Sequence, residues 1–155
     1  MKKTIARTVS VLLVAVLLFS MAGCGAKGEI RATIKDFQYA CNEMDIEAAL
    51  ECINPSVYSV LKLGAGLLGS LIGQDAENVF ASLSSLLISG ADTFGVEAFK
   101  TLKIKVNEIA ANDTTASAKV TLIYDGKSGE EKTSDATINL KCTDEGWKID
   151  GIRFD

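Results

Sequence analysis

Apolar and polar positions along this chain change their spacing several times, and each change marks an element. From Val9 to Phe19 the run is apolar except for Ser10, about 11 residues against the roughly 20 that a membrane-spanning helix needs. It follows Lys2, Lys3 and Arg7 and precedes small residues, which together are the three parts of an export leader. Beyond Gly28 apolar residues return at intervals of three and four, at Ile30, Ile34, Phe37, Cys41 and Met44, the stripe of an amphipathic helix. Asp45 is placed to cap a second, short helix carrying Ile46, Ala49, Leu50 and Ile53. Asn54 caps a third, with Pro55 at the first helical position, where its missing N–H costs nothing. Val57, Val60, Leu61, Leu67, Leu68, Leu71 and Ile72 continue it to Gly73. Asp75 opens another amphipathic stretch, with Val79, Phe80, Leu83, Leu86 and Leu87 on one face, that closes at Gly90.

From Lys100 the period falls to two, the spacing of strands. Leu102, Ile104 and Val106 alternate with Lys103, Lys105 and Asn107; after the Asn112-Asp113 turn, Ala116, Ala118, Val120, Leu122 and Tyr124 do the same. A third strand sets Ala136, Ile138, Leu140 and Cys142 on one face. The last presents Trp147 and Ile149, then Ile152 and Phe154, so its alternation slips at Gly151, the signature of a bulge. Helices first and a meander last predict an α+β domain: N-terminal helices packed on a curved antiparallel sheet of three to four strands. A Gly-rich hydrophobic helical hairpin is inserted over residues 57–92, and the meander occupies 100–155.

The leader ends in Met21-Ala22-Gly23-Cys24, which resembles the lipobox of bacterial lipoproteins, with Met21 where Leu is usual. The resemblance implies cleavage before Cys24, a diacylglyceryl thioether on its thiol and an acyl chain on its amine. Residues 1–23 are then the signal peptide, 24–28 a lipidated tether and 29–155 a single domain. The protein is expected to be extracytoplasmic and lipid-anchored to the cell membrane, or to the outer membrane where the host has two. With several acyl tails, each buried methylene adding about 0.8 kcal/mol, such an anchor is effectively permanent. Fully extended, the tether reaches about 17 Å, which keeps the domain close to the bilayer.

Composition narrows the chemistry. Removal of the leader leaves 132 residues with 13 basic against 20 acidic side chains, a net charge of about −7. That sign argues against nucleic acid, whose binding needs a basic face to displace counterions. The chain has no His and no Cys-x-x-Cys pair, so no metal site is expected. With Cys24 lipidated, three thiols remain. Cys41 and Cys52 could bridge consecutive helices as a disulfide outside the membrane, or all three could stay reduced as small apolar residues. Gly64-Ala65-Gly66-Leu67-Leu68-Gly69 matches the dinucleotide fingerprint. That fingerprint functions only inside a parallel strand–loop–helix unit, which Asn54-Pro55 and the later meander oppose, so no nucleotide and no cofactor is expected. Ala65, Gly69 and Gly73, at intervals of four, suit close helix packing instead.

Two segments carry a further likeness. Ile34-Lys35-Asp36-Phe37 through Asn42-Glu43-Met44-Asp45-Ile46-Glu47-Ala48-Ala49 and Asn54-Pro55, with the closing Asp144-Glu145-Gly146-Trp147-Lys148-Ile149, resembles small lipoproteins with the nuclear-transport-factor-2-like, or cystatin-like, cone fold. The resemblance implies a non-enzymatic binding or interaction module, with an apolar ligand or a partner segment in a cone interior drawn from Phe37, Tyr39, Tyr124, Cys142 and Trp147. An envelope structural or assembly protein with a packed interior is the alternative. Isomerases and hydrolases of this fold work with a pocket carboxylate or His and Tyr donors. Here Asp36, Tyr39 and Tyr124 are all that such a site could use, and no catalytic set is assembled from the sequence.

Overall fold

A computed structural model of the chain describes residues 25–59, 76–89 and 94–155. The lipobox, the 64–69 glycine pattern and the Ala65, Gly69, Gly73 series lie outside these residues.

Helix α1 covers residues 25–43. Its stripe of Ile30, Ile34, Phe37 and Cys41 is at most 2 % exposed, while Lys27, Glu29, Arg31, Lys35 and Asp36 face solvent. Gly25 to Gly28, assigned from the sequence to a tether, are helical as well. Once the stripe is docked, each added residue gains a backbone hydrogen bond, which offsets the poor helix propensity of glycine. The helix ends with Met44 at φ 54°. Met44 N–H donates to the Cys41 carbonyl (3.1 Å) and Asp45 N–H to that of Ala40 (2.9 Å), the paired bonds of a Schellman close. Asp45 then caps α2 (Ile46–Glu51) by accepting from Ala48 N–H, as its position predicts. α3, residues 55–59, begins at Pro55 with the Asn54 side chain accepting from Ser56 N–H.

α4 (Ala76–Leu87) buries Phe80, Leu83 and Leu87 and runs directly into β1 (Ile88–Ser89). α5 (Val96–Thr101) has no counterpart in the sequence reading, and the alternation placed at Lys100 starts three residues later. Leu102 belongs to two series, standing four residues after buried Ala98 and two before Ile104, so helical and strand spacing overlap there. The remaining strands are β2 (Lys103–Ala111), β3 (Thr115–Asp125), β4 (Glu131–Thr143) and β5 (Gly146–Phe154). They form a sheet in the order β1-β5-β4-β3-β2. The described sheet therefore has five strands where three to four were expected. The added β1 lies parallel to β5 through Ile88 with Ile152, and all other pairings are antiparallel.

Ala116, Ala118, Val120, Leu122, Ala136, Ile138, Leu140, Ile149 and Ile152 make the inner face and pack against α1, α4 and α5. The outer face is polar. Asn107 Nδ2 donates to Thr121 Oγ1, whose hydroxyl donates to Asp135, so cross-strand hydrogen bonds rather than apolar contacts cover that side. The slip predicted at Gly151 is real: Asn139 pairs with Gly151 and Leu140 with Ile149, leaving Asp150 as the extra residue. Asp150 accepts from buried Asn54 Nδ2 at 2.6 Å. Beside it, Ile149 N–H donates to Cys52 and Asn54 N–H to Ile149, so the 52–54 segment covers the outer edge of β5. A second bulge, at Asn107, moves the inward series from Val106 to Ile109.

α1 runs along the strands from one end of the sheet to the other. Near its start Thr33 Oγ1 donates to the Trp147 carbonyl, beside the turns that join β2 to β3 and β4 to β5. Further along, Gln38 accepts from Ile104 N–H, and Asn42 Nδ2 reaches the carbonyls of Phe99, Lys100 and Leu102 at 2.9 to 3.2 Å. Asn42 thereby satisfies carbonyls at the end of α5 that have no partner within the helix.

Candidate functional site

A broad concavity lies outside the sheet's core, between α1, α2 and the β4–β5 turn. It is an open cleft of about 890 Å³. Glu29, Asp36 and Glu43 line it from α1, and their spacing of seven residues places all three on one flank of the helix. Glu51 of α2 and Glu145 of the turn close the rim. Gly146 follows at φ 100°, a conformation that suits glycine and swings the chain back into Trp147. Tyr39 supplies exposed aromatic surface, and the largely buried Trp147 backs the cleft wall.

Among the described residues one cation, Lys148, lines this cleft, and it is already engaged. Its ammonium donates to the Glu51 carbonyl and lies 3.7 Å from the Glu145 carboxylate. Among the described residues Lys148 is thus committed to Glu51 and Glu145, and no ion pair joins the carboxylates of Glu29, Asp36 and Glu43 to it. The seven-residue spacing of these acids is present in the sequence, interleaved with the apolar stripe of the same helix.

Cys41 and Cys52 are both free, buried thiols. Burial, reinforced by Cys52, pushes the Cys41 thiol up. Cys52, on the cleft floor, is pushed up to about 11 by burial and then by Asp36 and Glu51 against the opposing pull of Lys148. Folding therefore holds both protons above the ordinary thiol value of 9.0, and stability falls as pH rises from there toward 11. Urea midpoints are expected to be lower at about pH 10 than at about pH 8. The difference should shrink when Cys41 and Cys52 are both replaced by alanine; an unchanged difference would assign it to other groups.

The five residues expected to share a cone interior are not brought together. Phe37 is part of the packed core at 2 % exposure, and Tyr39, two residues on, faces outward at 67 %. Cys142 is exposed, a correction to its placement on the inner face. It keeps the parity of Ala136, Ile138 and Leu140 but lies past the point where helices cover β4. Trp147, its pairing partner, is buried at the same end of the sheet. Tyr124 stands at the opposite end, where its ring packs 4.9 Å from Phe94 and 6.5 Å from Phe154 and its hydroxyl meets Ser134 Oγ at 3.4 Å. Asp36 of the cleft and Tyr124 therefore belong to separate regions. Among the described residues no group of His, Cys, Asp and Glu converges as a metal site, and no helix is long and apolar enough to cross a membrane.

Neither a family model nor a curated protein matches the chain. The structure is similar to that of an NTF-2 like protein of unknown function from Shewanella oneidensis MR-1. The TM-score is 0.52 at 13 % identity, over 83 % of this chain and 97 % of the other. N-terminal helices on a curved five-stranded sheet, in an arrangement shared along nearly the whole of that protein, give this chain the NTF-2-like α+β fold.

Proposed function

We propose that the protein is an exported, lipid-anchored, non-enzymatic binding module that holds a cationic partner segment in the cleft between α1 and α2. The observation that carries this reading is the cleft itself: several carboxylates around two aromatic side chains, with its lone lysine occupied. The sheet's inner face is taken up by α1, α4 and α5, which moves the binding surface from the inside of the cone to its flank. A partner segment rich in Lys or Arg would place ammonium or guanidinium groups against Glu29, Asp36 and Glu43 and its stems over the exposed ring of Tyr39, where cation–π contact adds to the attraction. Export and anchoring rest on the leader and on Cys24.

Trp147 is the chain's one tryptophan, so its fluorescence reports on the cleft. Titration with a short oligolysine peptide at low salt is expected to change that fluorescence and to weaken as salt rises. Joint replacement Asp36→Lys and Glu43→Lys is expected to weaken the peptide about tenfold or more, a loss of about 1.4 kcal/mol. The control pair Asp113→Lys and Glu131→Lys, exposed and outside the cleft, should leave it nearly unchanged. Equal losses in both pairs would show attraction to net charge alone and overturn the reading.

A further inference from the structure

Resting on the reading of Cys24 as the lipid-bearing residue, we infer that the protein stands end-on to the bilayer. The β2–β3 and β4–β5 turns face the lipid head groups, and the β3–β4 turn points away.

The argument begins at Gly25, which is already helical. Five residue steps separate Cys24 from Glu29, a rise of about 7.5 Å as helix and at most about 17 Å if that turn unwinds. Glu29 shares the cleft lining with Glu145 and Gly146, so α1 leaves the domain beside the β4–β5 turn. Thr33, one turn further on, is bonded to Trp147. From there α1 runs to Asn42, at the end of the sheet that holds α5 and the start of β2. β3, eleven residues long, spans about 33 Å between the two ends of the sheet. An anchor with a reach of about 17 Å or less cannot bring the far end closest to the membrane.

Neither way of lying flat would offer the bilayer an apolar surface to hold it there. If the domain lay along α1, it would press Lys27, Glu29, Arg31, Lys35 and Asp36 against the bilayer, and that exposed side has no apolar stripe to insert. Lying on the sheet's outer face would do the same with Lys103, Lys105, Lys119 and Asp135. The near end carries small polar groups together with the exposed carboxylates of Asp113, Asp144 and Glu145, all at turns that the hydrated head-group layer can solvate. Asn112 Oδ1 accepts from the N–H groups of Thr114 and Thr115, and Thr143 Oγ1 donates to the Gly146 carbonyl while accepting from Glu145 N–H. Turns so satisfied rest in the hydrated head-group layer without entering the hydrocarbon. The described part of the hairpin region is directed elsewhere: Phe80 of α4 stacks on Phe99 of α5 at the distal end.

A native thiol provides the probe. Cys142 is exposed at the near end, whereas Cys41 and Cys52 are buried. The processed lipoprotein, labelled at Cys142 with a fluorophore and reconstituted into phosphatidylcholine vesicles carrying a head-group nitroxide lipid, is compared with Ser128→Cys in a Cys142→Ser background. Ser128 is exposed in the distal β3–β4 turn. Several-fold stronger quenching at Cys142 than at Ser128 is expected. Equal quenching, or stronger quenching at Ser128, overturns the end-on arrangement. The mass of the same sample separates the two readings: quenching that fails on a chain carrying lipid at Cys24 rejects the orientation alone, whereas a chain without that lipid rejects the anchor and the orientation together.

Discussion

Replacing Phe37 with alanine is expected to cost about 3 to 5 kcal/mol, because truncating a buried aromatic removes its transfer energy and leaves a cavity. A domain of this size has about 5 to 15 kcal/mol to lose, so the variant should be marginal or unfolded. The ring is 2 % exposed and lies in the same cluster as Ile34, Cys41 and the inner face of the sheet, so its removal opens a gap within packed core. Urea unfolding followed by circular dichroism measures the loss. If the alanine variant does not accumulate, Phe37→Leu, which keeps most of the volume, should unfold at a midpoint between wild type and the extrapolated alanine value. Tyr39→Ala provides the contrast: at 67 % exposure it should shift stability by no more than about 0.5 kcal/mol. Comparable small effects at both positions would mean that Phe37 borders an open cavity, as the cone-interior expectation has it, and that the packed core described above is wrong.

Much of the fold was legible in the sequence because it is written in local spacing. The α1 stripe, the caps at Asp45 and Asn54 and the slip at Gly151 are each set by residues a few positions apart, and each is found where the pattern places it. What escaped depends on contacts distant in the chain. α5 is six residues long, too short to show a period, and it is held by Asn42, some sixty residues away. β1 has two residues and exists only because β5 offers an edge to pair with. The bulge at Asn107 left a trace, since Ile109 breaks the parity of Ile104 and Val106, but it carries no glycine to draw notice.

The candidate site was less legible for a related reason. Alternation says which strand residues point inward, and it does so correctly for Leu140, but it cannot say where helical cover ends. Cys142 therefore emerges into solvent two residues later. The cleft is assembled from α1, α2 and a turn about a hundred residues further on, and only the Glu29, Asp36, Glu43 series lies within one element. Sheet-facing positions suggested an interior pocket; the side chains of α1, α4 and α5 occupy that space.

The second large effect concerns Cys24. Its replacement by serine is expected to abolish stable membrane association, since the thioether can form only on a thiol. One acyl chain gives marginal, reversible binding and two or more make it lasting, so loss of the diacylglyceryl group alone shifts the protein from the membrane to the soluble extracytoplasmic fraction. A variant still held by an uncleaved leader would also be distinguishable, because it keeps Met1 and the apolar run from Val9 to Phe19. Fractionation of cells producing wild type and Cys24→Ser gives the comparison, with Cys142→Ser, which leaves the leader intact, as the control.

The most direct measurement is the intact mass of the protein isolated from its native membrane. The account predicts a chain of 132 residues beginning at Cys24, heavier than the bare polypeptide by a diacylglyceryl group, with a further acyl chain where the amine is modified. A chain that retains residues 1–23, or one that starts at or near Cys24 without lipid, would contradict it.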